Sequence, residues 1–160
     1  MKINILQYLE SSVTKVPDKI AFVNQNNRIS YKELQLHSKL IGSEICRKTN
    51  CQIRRPIVIF VDRNIESLVS FMAIAYSGNF YVPIDIQMPK KRIQLILKTL
   101  NPLAVVVTNE SKLLASEVAP KLIKIDYEKQ IVKGAVDEEI LSSIRIKIID
   151  KDPLYATFTS

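Results

Sequence analysis

Glycine is scarce in this chain: only three occur in 160 residues. A phosphate-cradling loop needs glycines close together, so that backbone N–H groups can close on an anion. No complete loop of that kind is present. Histidine is scarcer, with one residue, His37. It has no metal-ligand company and completes no Ser–His–Asp set; the expected role is that of an exposed residue on a surface-looking helix. The two cysteines, Cys46 and Cys51, flank an expected helix end and form neither a CxxC pair nor a disulfide framework. Cys46 reads as a small core residue rather than a nucleophile. Zinc is not expected.

Long apolar runs are missing as well, and none approaches a membrane span. The opening "MKINILQYLESS" interrupts its apolar residues with Asn4, Gln7 and Glu10. That suits an amphipathic helix better than a signal peptide, so the cytoplasm is the default compartment. Positive charge is in modest excess, with 23 Lys+Arg against 16 Asp+Glu. Its densest cluster, Lys90, Lys91 and Arg92, is short and opens an expected helix. No basic stripe interleaves with aromatics, so no nucleic-acid partner is expected.

What is present is an ordinary globular composition, 47% apolar and 24% charged. Ile5, Leu6 and Leu9 mark a first helix that Pro17 ends, and "IAFV" with "RIS" reads as a hairpin. Ser30 and Glu33 form a capping box for a helix from Tyr31. "PIVIFV" is a strand buried on both faces. Residues Ile65 to Tyr76 keep helical spacing up to Gly78, the expected C-terminal cap. "FYVPID" is extended, with Pro83 excluding a central position. Pro89 and Pro102 bracket the next helix, and "LAVVVT", "SKLLASEV" and "KLIKID" continue as strand, helix and strand. Within 127–150, "DEEILSSI" reads as helical and "RIKII" as extended, and "LYATFT" reads as a closing strand. The order predicts an α/β fold, a doubly wound, mostly parallel sheet with flanking helices.

Such sheets bind ligands beyond the carboxyl ends of their strands. Asp62, Arg63 and Asn64 follow one buried strand; Thr108, Asn109 and Glu110 follow another. Helix capping is the favoured role for all six, and a turn or cap role for Asp85. Thr157, Thr159 and Ser160 place hydroxyls at the end of the chain, where they can point at phosphate oxygens.

Three segments, "VPDKIAFV…RISYKEL", "FMAIAYSGNFYVPIDIQMPKKRIQLIL" and "DPLYATFTS", resemble the opening motifs of the adenylate-forming ligases. The Asp85 and Pro89–Arg92–Ile93 spacing suits the amino-acid-adenylating branch, which holds nonribosomal peptide synthetase adenylation domains and D-alanine–carrier-protein ligases. The resemblance implies that residues 1–160 are the N-terminal portion of an AMP-binding domain, an incomplete N-terminal subdomain that stops inside the phosphate loop. It implies Thr159 and Ser160 as the first two positions of that loop, with no catalytic residue and no metal ligand assigned. It implies ATP and Mg²⁺ for the complete enzyme, with no cofactor assigned to this chain. The implied partners are an amino-acid or other carboxylate substrate and a phosphopantetheinyl carrier protein. Alone, the chain is expected to be inactive and, with an uncovered sheet edge, to self-associate. Two alternatives stand beside this: a truncated, non-catalytic module with weak nucleotide or partner affinity, and a domain related to the ligases by ancestry only.

Overall fold

The computed structural model describes residues 4–25, 27–62 and 64–158. Among these residues thirteen elements follow one another, beginning with helix α1 (Ile5–Lys15), strands β1 (Ile20–Val23) and β2 (Arg28–Ser30), and helix α2 (Tyr31–Lys48). The alternating unit then runs β3 (Pro56–Val61), α3 (Ile65–Tyr76), β4 (Phe80–Asp85), α4 (Lys90–Leu100), β5 (Ala104–Val107), α5 (Lys112–Val118) and β6 (Ile123–Asp126). Two further helices, α6 (Tyr127–Lys133) and α7 (Glu138–Arg145), close the described elements.

Strands β3 to β6 form one parallel sheet in the order β4-β3-β5-β6, and β1 pairs antiparallel with β2 as a separate hairpin. Each parallel connection carries a helix, as a crossover requires. The continuous apolar runs follow from this. In β3, Ile57 and Ile59 enter one core with α1, α2, α3, α6 and α7 residues, while Val58 and Phe60 enter a second with α4 and α5 residues. Central strand β5 divides the same way, Ala104 and Val106 against Val105 and Val107. A strand covered on both faces has no polar side to show.

Caps set the helix boundaries. The Ser30 Oγ accepts from the Glu33 N–H (3.3 Å), and a Glu33 carboxylate oxygen accepts from the Ser30 N–H (2.8 Å), a complete capping box. Asn64 caps α3 through the Ser67 N–H (3.0 Å), and Asp126 caps α6 through the Lys129 N–H (3.0 Å). Gly78 follows the α3 C-cap at φ +75°, in the left-handed region expected of it. Pro89 stands one place before α4, at its N-cap.

Two expectations are corrected, and one stretch that the sequence left without an element is assigned. Residues 127–133 are helical, because Asp126 ends β6 and caps α6 at once, leaving no turn between them. The "RIKII" stretch is not a strand. Its first residue ends α7, and a turn follows in which the Lys147 N–H donates to the Ile144 carbonyl (2.9 Å) and Arg54 donates to the Lys147 carbonyl (2.7 Å). The closing "LYATFT" contributes one parallel bridge, Tyr81 with Tyr155, rather than a strand. There the Tyr81 N–H donates to the Leu154 carbonyl (3.1 Å), and the Ala156 N–H donates to the Tyr81 carbonyl (3.0 Å). The next outward-facing position of β4 is Pro83, which has no N–H, so the ladder stops after one rung. Among the described residues no helix is long and apolar enough to cross a membrane.

Candidate functional site

Strand order reverses beside β3: β4 lies on one side of it and β5 on the other. A parallel sheet leaves a crevice at the carboxyl ends of the two strands where that reversal occurs. Here the crevice is a groove of about 610 Å³, lined by Asn64, Glu66, Thr108, Asn109, Glu110 and Glu128, with the β1–β2 turn at its rim.

The candidate residues divide in this groove. Asn64 is engaged as the α3 cap, as expected. Thr108 and Asn109 are not caps: the Ser111 Oγ accepts from the Thr108 N–H (2.9 Å), and a Glu128 oxygen accepts from the Asn109 N–H (2.8 Å). Glu110 is exposed, and Ser111 stands at the N-cap of α5 without a side-chain cap hydrogen bond. The Asp62 carbonyl accepts from the Ser67 hydroxyl (3.0 Å), which ties the end of β3 to the start of α3. Asp85 accepts from the Gln87 N–H (2.8 Å), the expected turn role. Arg63, Thr159 and Ser160 lie outside the described residues.

Among the described residues the charged side chains that line the groove are acidic. Glu66, Glu110 and Glu128 reach its lining, and Lys112 beside it is held by Asp126 (3.0 Å), Glu128 (3.8 Å) and the Asn109 side chain (2.7 Å). Burial works to raise the Asp126 carboxyl, yet the Lys129 N–H and Lys112 outweigh it and hold it below the usual carboxylate range. A triphosphate entering this groove meets like charge. The groove glutamates come from α3, the β5–α5 loop and α6, far apart in sequence, and of the three only the Glu110 position was legible beforehand.

A second feature was not anticipated. Phe71, Tyr81 and Tyr155 stack at the outer edge of the sheet, with ring centroids 4.2 Å apart for the first pair and 5.8 Å for the second. Beside them Phe22, Val23, Val61, Leu68 and Pro83 help line an apolar depression of about 290 Å³. The Tyr81–Tyr155 contact anchors the segment that carries Thr157, an exposed residue.

His37 is half-buried rather than exposed, and its Nδ1 has no hydrogen-bond partner among the described residues. Burial holds its pKa below the ordinary 6.5, with the neighbouring Glu33 charge working against that shift. A depressed pKa makes the folded state bind its proton less readily than the unfolded chain. The stability this contributes is present above pH 6.5 and is lost as pH falls through the folded value. His37→Gln is therefore expected to flatten the stability profile just below that pH, measured by urea unfolding at several pH values. An unchanged slope would refute the assignment. Cys46 is a core residue as expected, and burial, then the nearby Cys51, pushes its thiol up to about 12. Among the described residues no cluster of metal-ligating side chains occurs.

Comparison with known proteins supplies the context for this fold. The D-alanine–D-alanyl carrier protein ligase of Listeria monocytogenes serotype 4b (strain F2365) is 32% identical over 110 residues, covering 69% of this chain and 22% of the ligase. Tyrocidine synthase 1 of Brevibacillus parabrevis is 29% identical over 140 residues, 88% of this chain and 12% of the synthase. The chain thus spans a minor part of each relative's length. Among solved structures, VinN in complex with 3-methylaspartate superposes with a TM-score of 0.76 at 15% identity, over 96% of this chain and 43% of VinN. The N-terminal subdomain of Klebsiella oxytoca NpsA gives 0.67 at 16% identity, over 84% of this chain and 34% of that one. Residues 9–160 match the AMP-binding enzyme family over nearly their whole extent. A match of that breadth, on a parallel sheet with the expected order of caps and crossovers, leaves one conclusion: the chain belongs to the AMP-binding enzyme family.

Proposed function

We propose that these residues form the opening part of a ligase that activates an amino acid, or a similar carboxylate, with ATP. The reaction joins the carboxylate to the α-phosphorus of ATP, releasing pyrophosphate, and the acyl group then passes to the thiol of a carrier protein's phosphopantetheine arm, which loses its proton as AMP leaves. Mg²⁺ accompanies the nucleotide, and the compartment is the cytoplasm. The observation that carries the reading is the single bridge at Tyr155, which runs parallel to β4. A segment parallel to β4 heads toward the carboxyl ends of the strands, the side on which such sheets take ligands.

On this reading Thr159 and Ser160 open the phosphate loop, where hydroxyls donate to phosphoryl oxygens. Charge on those oxygens must be met by placed donors or cations for transfer to proceed. The groove built by the described residues is lined by carboxylates instead. Residues 1–160 by themselves are therefore expected to bind no triphosphate productively and to catalyse no transfer.

Amino-acid-dependent exchange of radiolabelled pyrophosphate into ATP tests this on two samples: the 160-residue chain, and the native product that carries it, isolated from its source by an antibody to this segment. Exchange is expected only in a native product longer than this chain. Exchange by the 160 residues alone would overturn their inactivity. A longer native product that exchanges with no amino acid or other carboxylate would overturn the ligase reading.

A further inference from the structure

Helix α2 ends in a closed motif. The Thr49 N–H donates to the Ile45 carbonyl (3.0 Å), Asn50 turns left-handed at φ 52°, and the Cys51 N–H reaches back to the Cys46 carbonyl (2.8 Å). This six-to-one bond defines a Schellman ending, which places its first and last residues side by side. Those two positions normally make an apolar contact, and here both are cysteines. Both thiols are free, and the Cys51 thiol is near enough to add to the upward push that burial gives the Cys46 thiol. Cys46 is 1% exposed, whereas Cys51 is partly open to solvent.

We propose that Cys46 and Cys51 are a dithiol site that closes to an intrachain disulfide, a slow redox latch between the end of α2 and the turn that enters β3. A six-to-one pair falls within the Cα separation that a disulfide spans. A peroxide oxidant balances the step. Hydrogen peroxide converts the Cys51 thiol to a sulfenic acid and leaves as water; the Cys46 sulfur then attacks that sulfur, loses its proton and expels a second water. Two thiols are oxidised by two electrons in all, and peroxide takes both.

The asymmetry of the pair sets its speed. Cys51 is the sulfur an oxidant reaches, and Cys46, buried, is a poor thiolate, so closure is slow. Reduction is slow for the same reason, because an external thiol must attack Cys51 and expel Cys46, a leaving group of high pKa. The site behaves as a latch that holds its state rather than as a fast sensor.

The test is to treat the chain with hydrogen peroxide under native conditions, then map its thiols by mass spectrometry. The expected product is a monomer lighter by two hydrogen atoms, with one peptide pair joined through Cys46 and Cys51. In Cys51→Ala, the Cys46 thiol is expected to react with a thiol reagent at least about tenfold more slowly than the Cys51 thiol of the parent chain. Cys51 recovered as a sulfinic acid beside a free Cys46 would overturn the proposal. So would a covalent dimer joined through Cys51.

Discussion

Gly78→Val is expected to lower stability by about 2–5 kcal/mol, the sum of two separate costs. The first is conformational. Gly78 sits at φ +75°, where an L-residue pays about 1–2 kcal/mol, and a β-branched side chain fits worst. The second is steric. A Cβ at Gly78 would lie 2.8 Å from the Ile144 Cγ2 and 2.8 Å from the Ile53 Cγ2. Ile144 is fully buried and Ile53 packs against the same core, so neither can swing away, and overpacking of this kind costs about 1–3 kcal/mol. The backbone here also matters beyond α3, because the Gly78 carbonyl accepts from the Arg54 N–H (2.8 Å) at the entry to β3. A domain with only about 5–15 kcal/mol in total is left marginal by such a loss. Urea unfolding should show the midpoint falling with the slope unchanged. Gly78→Ala keeps both the backbone cost and the clash of the first carbon, so its difference from Gly78→Val isolates what the two γ-methyl groups of valine add. A valine variant within about 0.5 kcal/mol of the parent would show that the packing account is wrong.

Ile57→Ala is the second large effect, expected at about 2–5 kcal/mol. Ile57 is 0% exposed in β3, paired with Tyr81 of β4 on one side and Ala104 of β5 on the other. Its side chain faces the larger core, among residues of α2 and α3. Deleting three carbons there forfeits their transfer free energy and leaves a cavity that a sheet bonded on both sides cannot collapse into. Ile57→Val should cost only about 0.5–1.5 kcal/mol. Ile123→Ala is the contrasting control: Ile123 lies in edge strand β6 and is 36% exposed, so little burial is at stake. Equal losses at positions 57 and 123 would refute the view that the central strand carries the core.

The parts of the fold legible in the sequence were those where local chemistry and tertiary demand agree. The stretch from Pro56 to Gly78 is the clearest case, since an unbroken apolar strand, an Asn64 cap and a terminal glycine all mark the same boundaries. Ser30 and Glu33 are another. Legibility failed where one residue serves two elements or where a pattern lacks a place to pair. Asp126 belongs to both β6 and the α6 cap, so no turn signal announces the helix. Ile146 and Ile148 alternate with polar neighbours as a strand would. The outer side of β4, however, already holds the segment around Tyr155, and Ile146 stands 83% exposed. The acidic groove was illegible for a different reason. It assembles side chains from α3, the β5–α5 loop and α6, and no local spacing records that meeting.

The single rung between Tyr81 and Tyr155 governs how force passes through this end of the molecule. Pull along a ladder of many rungs loads them together; here it falls on two hydrogen bonds and a pair of stacked rings. Pro83, with no N–H to donate, prevents that grip from lengthening along β4. The hold of the sheet on this segment thus has its place set by one tyrosine and its extent by one proline.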